Sequence, residues 1–152
     1  APSVSIERTL PYMETPSAKG SIRNPDQSIT RGYDIHLVFS SDQEEEATQL
    51  FDKFMEFIQA EKITHDRAKI FTRPVGPWPT PMWQVLLPES SQVEANLGRC
   101  FSWLMLNHGT FPVMIHPNTK TEGDRGGSVE DHSRNMIWIG EPQKLLIETL
   151  RL

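Results

Sequence analysis

The run Tyr33-Asp34-Ile35-His36-Leu37-Val38-Phe39 constrains this chain more than any other segment, because its alternation matches the two-residue period of a β-strand. Tyr33, Ile35, Leu37 and Phe39 make one oily face that has to be buried. Asp34 and His36 fall on the other. A slip of one residue in pairing would drive a carboxylate and an imidazole into the core, so the register of this strand is strongly specified.

The residues after it alternate between helix and strand signals. Ser41 and Glu44 have the spacing of a capping box, and Ala47, Leu50, Phe51, Phe54, Met55 and Ile58 then repeat at three- and four-residue intervals, the mark of an amphipathic helix. Glu44, Glu45 and Glu46 suit the positive end of that helix better than a metal site. Ala68 to Val75 and Met82 to Leu87 read as two strands of a hairpin, joined by the stiff Gly76-Pro77-Trp78-Pro79-Thr80-Pro81 turn. Ser91 and Glu94 cap a second helix carrying Val93, Leu97, Cys100, Phe101 and Leu104, which ends near Asn107-His108-Gly109. A last strand, Phe111 to His116, is expected to stop at Pro117.

The order β-α-β-β-α-β is that of an α+β ferredoxin-like sandwich with both helices on one sheet face. The other face is left for a ligand or a partner, and a homodimer is the expected assembly. Residues 1–31, with Pro2, Pro11, Pro16 and Pro25, read as an irregular N-terminal arm, and residues 32–152 as a single catalytic or binding domain. Asn118 to Glu130 is polar and glycine-bearing, in the manner of a loop or lid beside a site. Asn135 to Ile139 reads as an extra strand, and Leu145 to Leu150 packs down a C-terminal extension.

Charge narrows the partners. With a net charge of −5, a pI near 5.5 and no basic block, nothing in the chain is arranged to neutralise phosphates, so neither nucleic acid nor an anionic membrane is expected. No stretch approaches a membrane span and no secretory signal is legible, which makes the cytoplasm the expected location. The single cysteine, Cys100, sits among Leu97, Phe101 and Leu104 and reads as a small buried apolar residue.

Asp34, His36 and His116 have the donor chemistry of two imidazoles and one carboxylate on a divalent metal, as in non-haem iron(II) oxygenases; a solvated strand face or an internal hydrogen-bonded pair accounts for the same spacing. His132, beside Asp131, is either a general base or a tie for its loop. His65 and His108 each follow a helix and suit capping. Arg73, before the proline turn, offers a two-pronged contact to a substrate carboxylate or is a surface arginine. Trp78 and Trp83 are candidates to line an aromatic pocket, whereas Trp103 and Trp138 lie in apolar surroundings that suit core packing.

Taken together, Tyr33-Asp34-Ile35-His36, Pro74-Val75-Gly76-Pro77, Met82-Trp83-Gln84-Val85, Trp103-Leu104, His116-Pro117-Asn118-Thr119, Asp131-His132 and Trp138-Ile139-Gly140 resemble, in order, the small DOPA 4,5-dioxygenase family of fungi and bacteria. The resemblance spans roughly residues 32–146. It implies a compact α+β fold, extradiol cleavage of a catechol, and an iron(II) centre, with the family's histidines falling on His36, His116 and His132. It also implies a site at Trp78, where the family usually has histidine after Gly-Pro, and at Trp83-Gln84, where it has phenylalanine-glutamate. Indole in place of imidazole removes a ligand or proton carrier and adds bulk. Two functions follow: an oxygenase acting on a small aromatic, or a metal-independent isomerase or cyclase acting on a specialised metabolite in the same pocket.

Overall fold

The computed structural model describes residues 29–119 and 129–151. Within them are the strands β1 (Ile29–Val38), β2 (Asp66–Phe71), β3 (Met82–Leu87), β4 (Val113–Thr119) and β5 (Ile137–Ile139), and the helices α1 (Glu44–Ala60) and α2 (Val93–Asn107). The strands form one sheet in the order β2-β3-β1-β4-β5, with every neighbouring pair antiparallel. The ferredoxin-like order is thus present, extended by β5 at the β4 edge. β1, which carries the alternating run, occupies the centre.

Alternation sorts the sheet as the sequence requires. Ile35, Leu37, Val85, Leu87, Val113 and Ile115 face the helices and pack with Phe54, Ile58, Cys100 and Leu104. Phe54 is fully buried and stacks on Trp83, with ring centroids 5.5 Å apart, so its truncation to alanine would cost about 3–5 kcal/mol. On the opposite face, Val38, Trp78, Met82, Met114 and Leu145 make a second apolar cluster. That face, expected to be uncovered, is partly roofed by the Trp78 turn and the C-terminal segment, which are tied together by the Leu146 N–H donating to the Pro77 carbonyl at 2.8 Å.

Element ends differ from expectation for identifiable reasons. The capping box uses Ser40 and Gln43, one residue before the expected pair, because a 3-10 turn (Ser41–Gln43) precedes α1. No side chain caps α2, whose N-cap is Gln92 rather than Ser91. β2 begins at Asp66 and ends at Phe71, short of Val75, because residues 74–79 turn back on themselves through a Val75–Trp78 bridge. β4 does not stop at His116 but runs to Thr119: β5 pairs only as far as Ile115, so Pro117 lies where the strand has an open edge and a missing N–H is tolerated.

β1 starts at Ile29, so residues 29–31, assigned to the arm, belong to the sheet, while residues 1–28 lie outside the described residues. Most of the expected lid, residues 120–128, lies outside them as well. Gly32 makes the early start possible. Its φ is +75°, the β1–β4 register shifts between Ile29 and Tyr33, and a Cβ there would stand 1.8 Å from the Leu87 carbonyl oxygen.

Candidate metal centre and pocket

Antiparallel pairing assembles the site from the even-numbered residues of β1 and β4. Asp34 stands opposite His116 and His36 opposite Met114, which makes His36 and His116 diagonal neighbours on the face away from the helices. Their Nε2 atoms approach to 3.1 Å. His132 joins them from the turn after residue 128, its ring centroid 4.0 Å from that of His116, and donor atoms of His36, His116 and His132 all lie within 4.8 Å of one another. Asp131 holds that turn in place: its fully buried carboxylate accepts the Thr119 N–H at 3.0 Å, the Thr119 hydroxyl at 2.8 Å and the Asn135 amide at 2.8 Å.

Asp34 stands beside the trio. Its Oδ2 is 3.7 Å from His116 Nε2 and accepts the Asn118 amide at 3.2 Å. Burial raises the Asp34 carboxyl above the ordinary carboxylate range, against the lowering effects of the Asn118 hydrogen bond and of His132, Arg67 and Arg31. Burial also depresses the basicity of His36, strongly, with His116 and His132 adding to the effect. His116 moves the same way because desolvation outweighs the Pro117 hydrogen bond and the Asp131 charge. Both rings are therefore held neutral, the state in which an imidazole nitrogen has a lone pair to give.

The donor set fits a metal ion. The His116 Nδ1–H donates to the Pro117 carbonyl at 2.9 Å, which fixes its tautomer and leaves the Nε2 lone pair facing the cluster. His36 Nδ1 is buried with no hydrogen-bond partner. Two nitrogens 3.1 Å apart are close to the spacing of about 3 Å expected for ligands sharing one ion through bonds of about 2.1 Å. Three imidazoles with a carboxylate alongside suit first-row transition metals rather than calcium or magnesium.

The cluster floors a pocket of about 240 Å³, the size of a single-ring ligand. Trp78 forms one wall: it is 3 % exposed, with its ring 4.3 Å from that of His36, and it is aimed by a turn in which its N–H bonds the Val75 carbonyl at 3.0 Å. Gln84, opposite His36 on β3, Phe71 and Met82 line it as well. A larger concavity of about 650 Å³ lies across the outer faces of α1 and α2, where Phe57, Trp103 and Leu106 meet the surface pair Arg99–Glu61 at 3.9 Å. It gathers no group of metal-ligating side chains, so the smaller pocket is the one with chemistry.

Asp34, His36, His116, His132, Trp78 and Gln84, all expected at the site from the sequence, come together in this pocket. Two others stand elsewhere. Trp83 is fully buried on the helix side, its Nε1–H donating to the Ala47 carbonyl at 3.2 Å, because strand alternation cannot put consecutive Trp83 and Gln84 on one face. Arg73 is exposed and does not line the pocket, since β2 ends two residues before it. The arginine that does line it is Arg67, which is not among the residues expected there from the sequence. The only local signal was Asp66, whose carboxylate accepts the Arg67 N–H at 2.7 Å, a short-range motif too common to single out.

Residues 33–149 match the sequence model of the Dopa 4,5-dioxygenase family. An uncharacterised 21.2 kDa protein of Botryotinia fuckeliana is 29% identical over 117 residues, which span 76% of this chain and 61% of that protein. A crystal structure from Nostoc punctiforme, described as a candidate dioxygenase, superposes with a TM-score of 0.61 and 27% identity over 80% of this chain and 92% of that one.

Proposed function

The chain belongs to the Dopa 4,5-dioxygenase family, and from that premise we propose that it is an iron(II)-dependent extradiol dioxygenase acting on a small catechol. The observation that carries this reading is the convergence of His36, His116 and His132 within 4.8 Å at the floor of a single-ring pocket. These three histidines would hold the ion. Bound there, iron(II) would supply redox chemistry and open positions for catecholate and dioxygen.

The remaining work falls to side chains of this chain. Asp34, whose carboxyl burial raises above the ordinary carboxylate range, exchanges a proton with a catechol hydroxyl beside His116. Trp78 packs against a face of the bound ring and, with Phe71 and Met82, keeps bulk water from it. Gln84 offers one amide for orientation. In the net reaction a ring carbon–carbon bond beside one hydroxyl breaks, and both atoms of dioxygen enter the ring-opened product.

One observation favours a second reading. The Trp78 indole packs against His36 at a tilt of 35°, at the position where the family resemblance implies an imidazole, which suits a pocket reworked for metal-independent isomerisation or cyclisation with Asp34 or His132 as the proton-transfer group. Oxygen uptake on catechols by iron(II)-loaded protein, compared with anaerobic turnover after chelation, separates the two. Full activity without iron under nitrogen would overturn the dioxygenase reading.

A further inference from the structure

We propose that Arg67 is the specificity-determining residue of the pocket, binding an anionic group carried on a side chain of the ring substrate. The inference rests on the reading of this pocket as a catechol site and adds the residue that sets its selectivity. It begins with a pairing irregularity. Asp66 pairs with Leu86 and Lys69 with Gln84, so three steps along β2 match two along β3, and one residue of β2 is extra. Leu86 and Gln84 lie on the histidine side of β3. Regular alternation from Asp66 would turn Arg67 inward with Val85, toward the helices.

The bulge turns Arg67 to the open face instead, where it lines the pocket with Asp34, Gln84 and the histidines. Its φ is +47°, a conformation that glycine adopts freely and an arginine rarely does. Backbone strain of this kind gathers at functional sites, and bulges beside such sites serve to re-aim a side chain.

The guanidinium is available. Among the described residues Arg67 is the only arginine or lysine lining the pocket, and it forms no ion pair with any of their carboxylates. Its charge reaches Asp34 only from beyond ion-pair distance. A forked cation at the rim of a pocket floored by neutral imidazoles matches a carboxylate held away from the ring, bound through two parallel N–H···O contacts.

The test is calorimetric titration of iron(II)-loaded protein under nitrogen with three probes: 3-(3,4-dihydroxyphenyl)propanoate, 4-methylcatechol and 3-phenylpropanoate. The wild type should bind the first about 10- to 100-fold more tightly than the second. Arg67→Gln should abolish that preference and leave 4-methylcatechol within about two-fold, and Arg67→Lys should recover only part of it because it keeps the charge but not the fork. Arg67→Gly relieves the strain of the positive φ, and the same loss in that variant at an unchanged urea midpoint separates recognition from misfolding. Equal wild-type affinity for the two catechols, or an equal loss on both in Arg67→Gln, would overturn the proposal and leave the catechol site standing. Arg67-dependent binding of 3-phenylpropanoate alone would support anion recognition while sinking the catechol reading. Binding of none of the three would overturn both.

Discussion

Acidification should unfold the metal-free protein through His36 and His116 before its carboxylates titrate. In the unfolded chain each histidine takes up a proton near pH 6.5, whereas burial keeps both neutral in the folded state to lower pH. The unfolded state therefore binds more protons below about pH 6.5, and stability must fall as the pH drops. The limiting slope is about 1.4 kcal/mol per pH unit for each proton. Between pH 7 and pH 5 one fully suppressed histidine costs about 2 kcal/mol and two cost about 4 kcal/mol. His36 should contribute nearly its full share, because it is the more strongly depressed, and His116 a part. Asp34 acts in the opposite sense: its raised carboxyl costs stability above its folded-state value, and that cost is relieved as the pH falls through it. The assay is urea denaturation of chelator-treated protein at pH 7, 6 and 5, followed by tryptophan fluorescence, for the wild type and His36→Gln. The variant should lose about one proton's worth of slope. Stability that is flat from pH 7 to pH 5, or identical slopes in the two proteins, would refute the argument that burial of these rings sets the acid limit.

Other perturbations probe separate links. Asp131→Asn leaves the three histidines in the chain but weakens the clamp on the His132 turn, and should lower transition-metal affinity at least about 10-fold by calorimetry; unchanged affinity would show that the turn is held by other contacts. Trp83→Phe should cost about 1 kcal/mol or more in urea through the lost hydrogen bond to Ala47, with no change in affinity for metal or catechol, because the indole lies behind the sheet. Gly32→Ala should destabilise by more than about 2 kcal/mol, since a left-handed φ and a Cβ 1.8 Å from the Leu87 oxygen cannot both be relieved without moving β1; a loss below 1 kcal/mol on the same scale would mean that the strand start is soft. Arg73→Ala should leave binding of all three Arg67 probes unchanged, and any selective loss on the carboxylates would reopen its role.

Local pattern carried a great deal here. Period-two alternation placed Asp34 and His36 together and away from the core before any partner strand was known, because strand geometry fixes the facing of neighbours whatever the sheet around them. The order of periodicities, strand-helix-strand-strand-helix-strand, was enough for the fold class, since two helices following antiparallel strands have few ways to pack. Trp78 was findable because the family resemblance marks the position after Gly76-Pro77, and that stiff turn travels with its sequence. The assembly of those pieces was decided elsewhere. His132 is far from His36 along the chain and is brought to it where Asp131 docks on Thr119 at the end of β4, a pairing with no local signature. Pro117 continues a strand instead of ending it because β5 stops short, which is a property of a neighbour and not of Pro117. Trp83 and Gln84 could be told apart only once the face of Gln84 was set by pairing with His36. Arg67 depended on one extra residue opposite β3: a bulge is a mismatch between two strands, so a single strand read alone does not contain it.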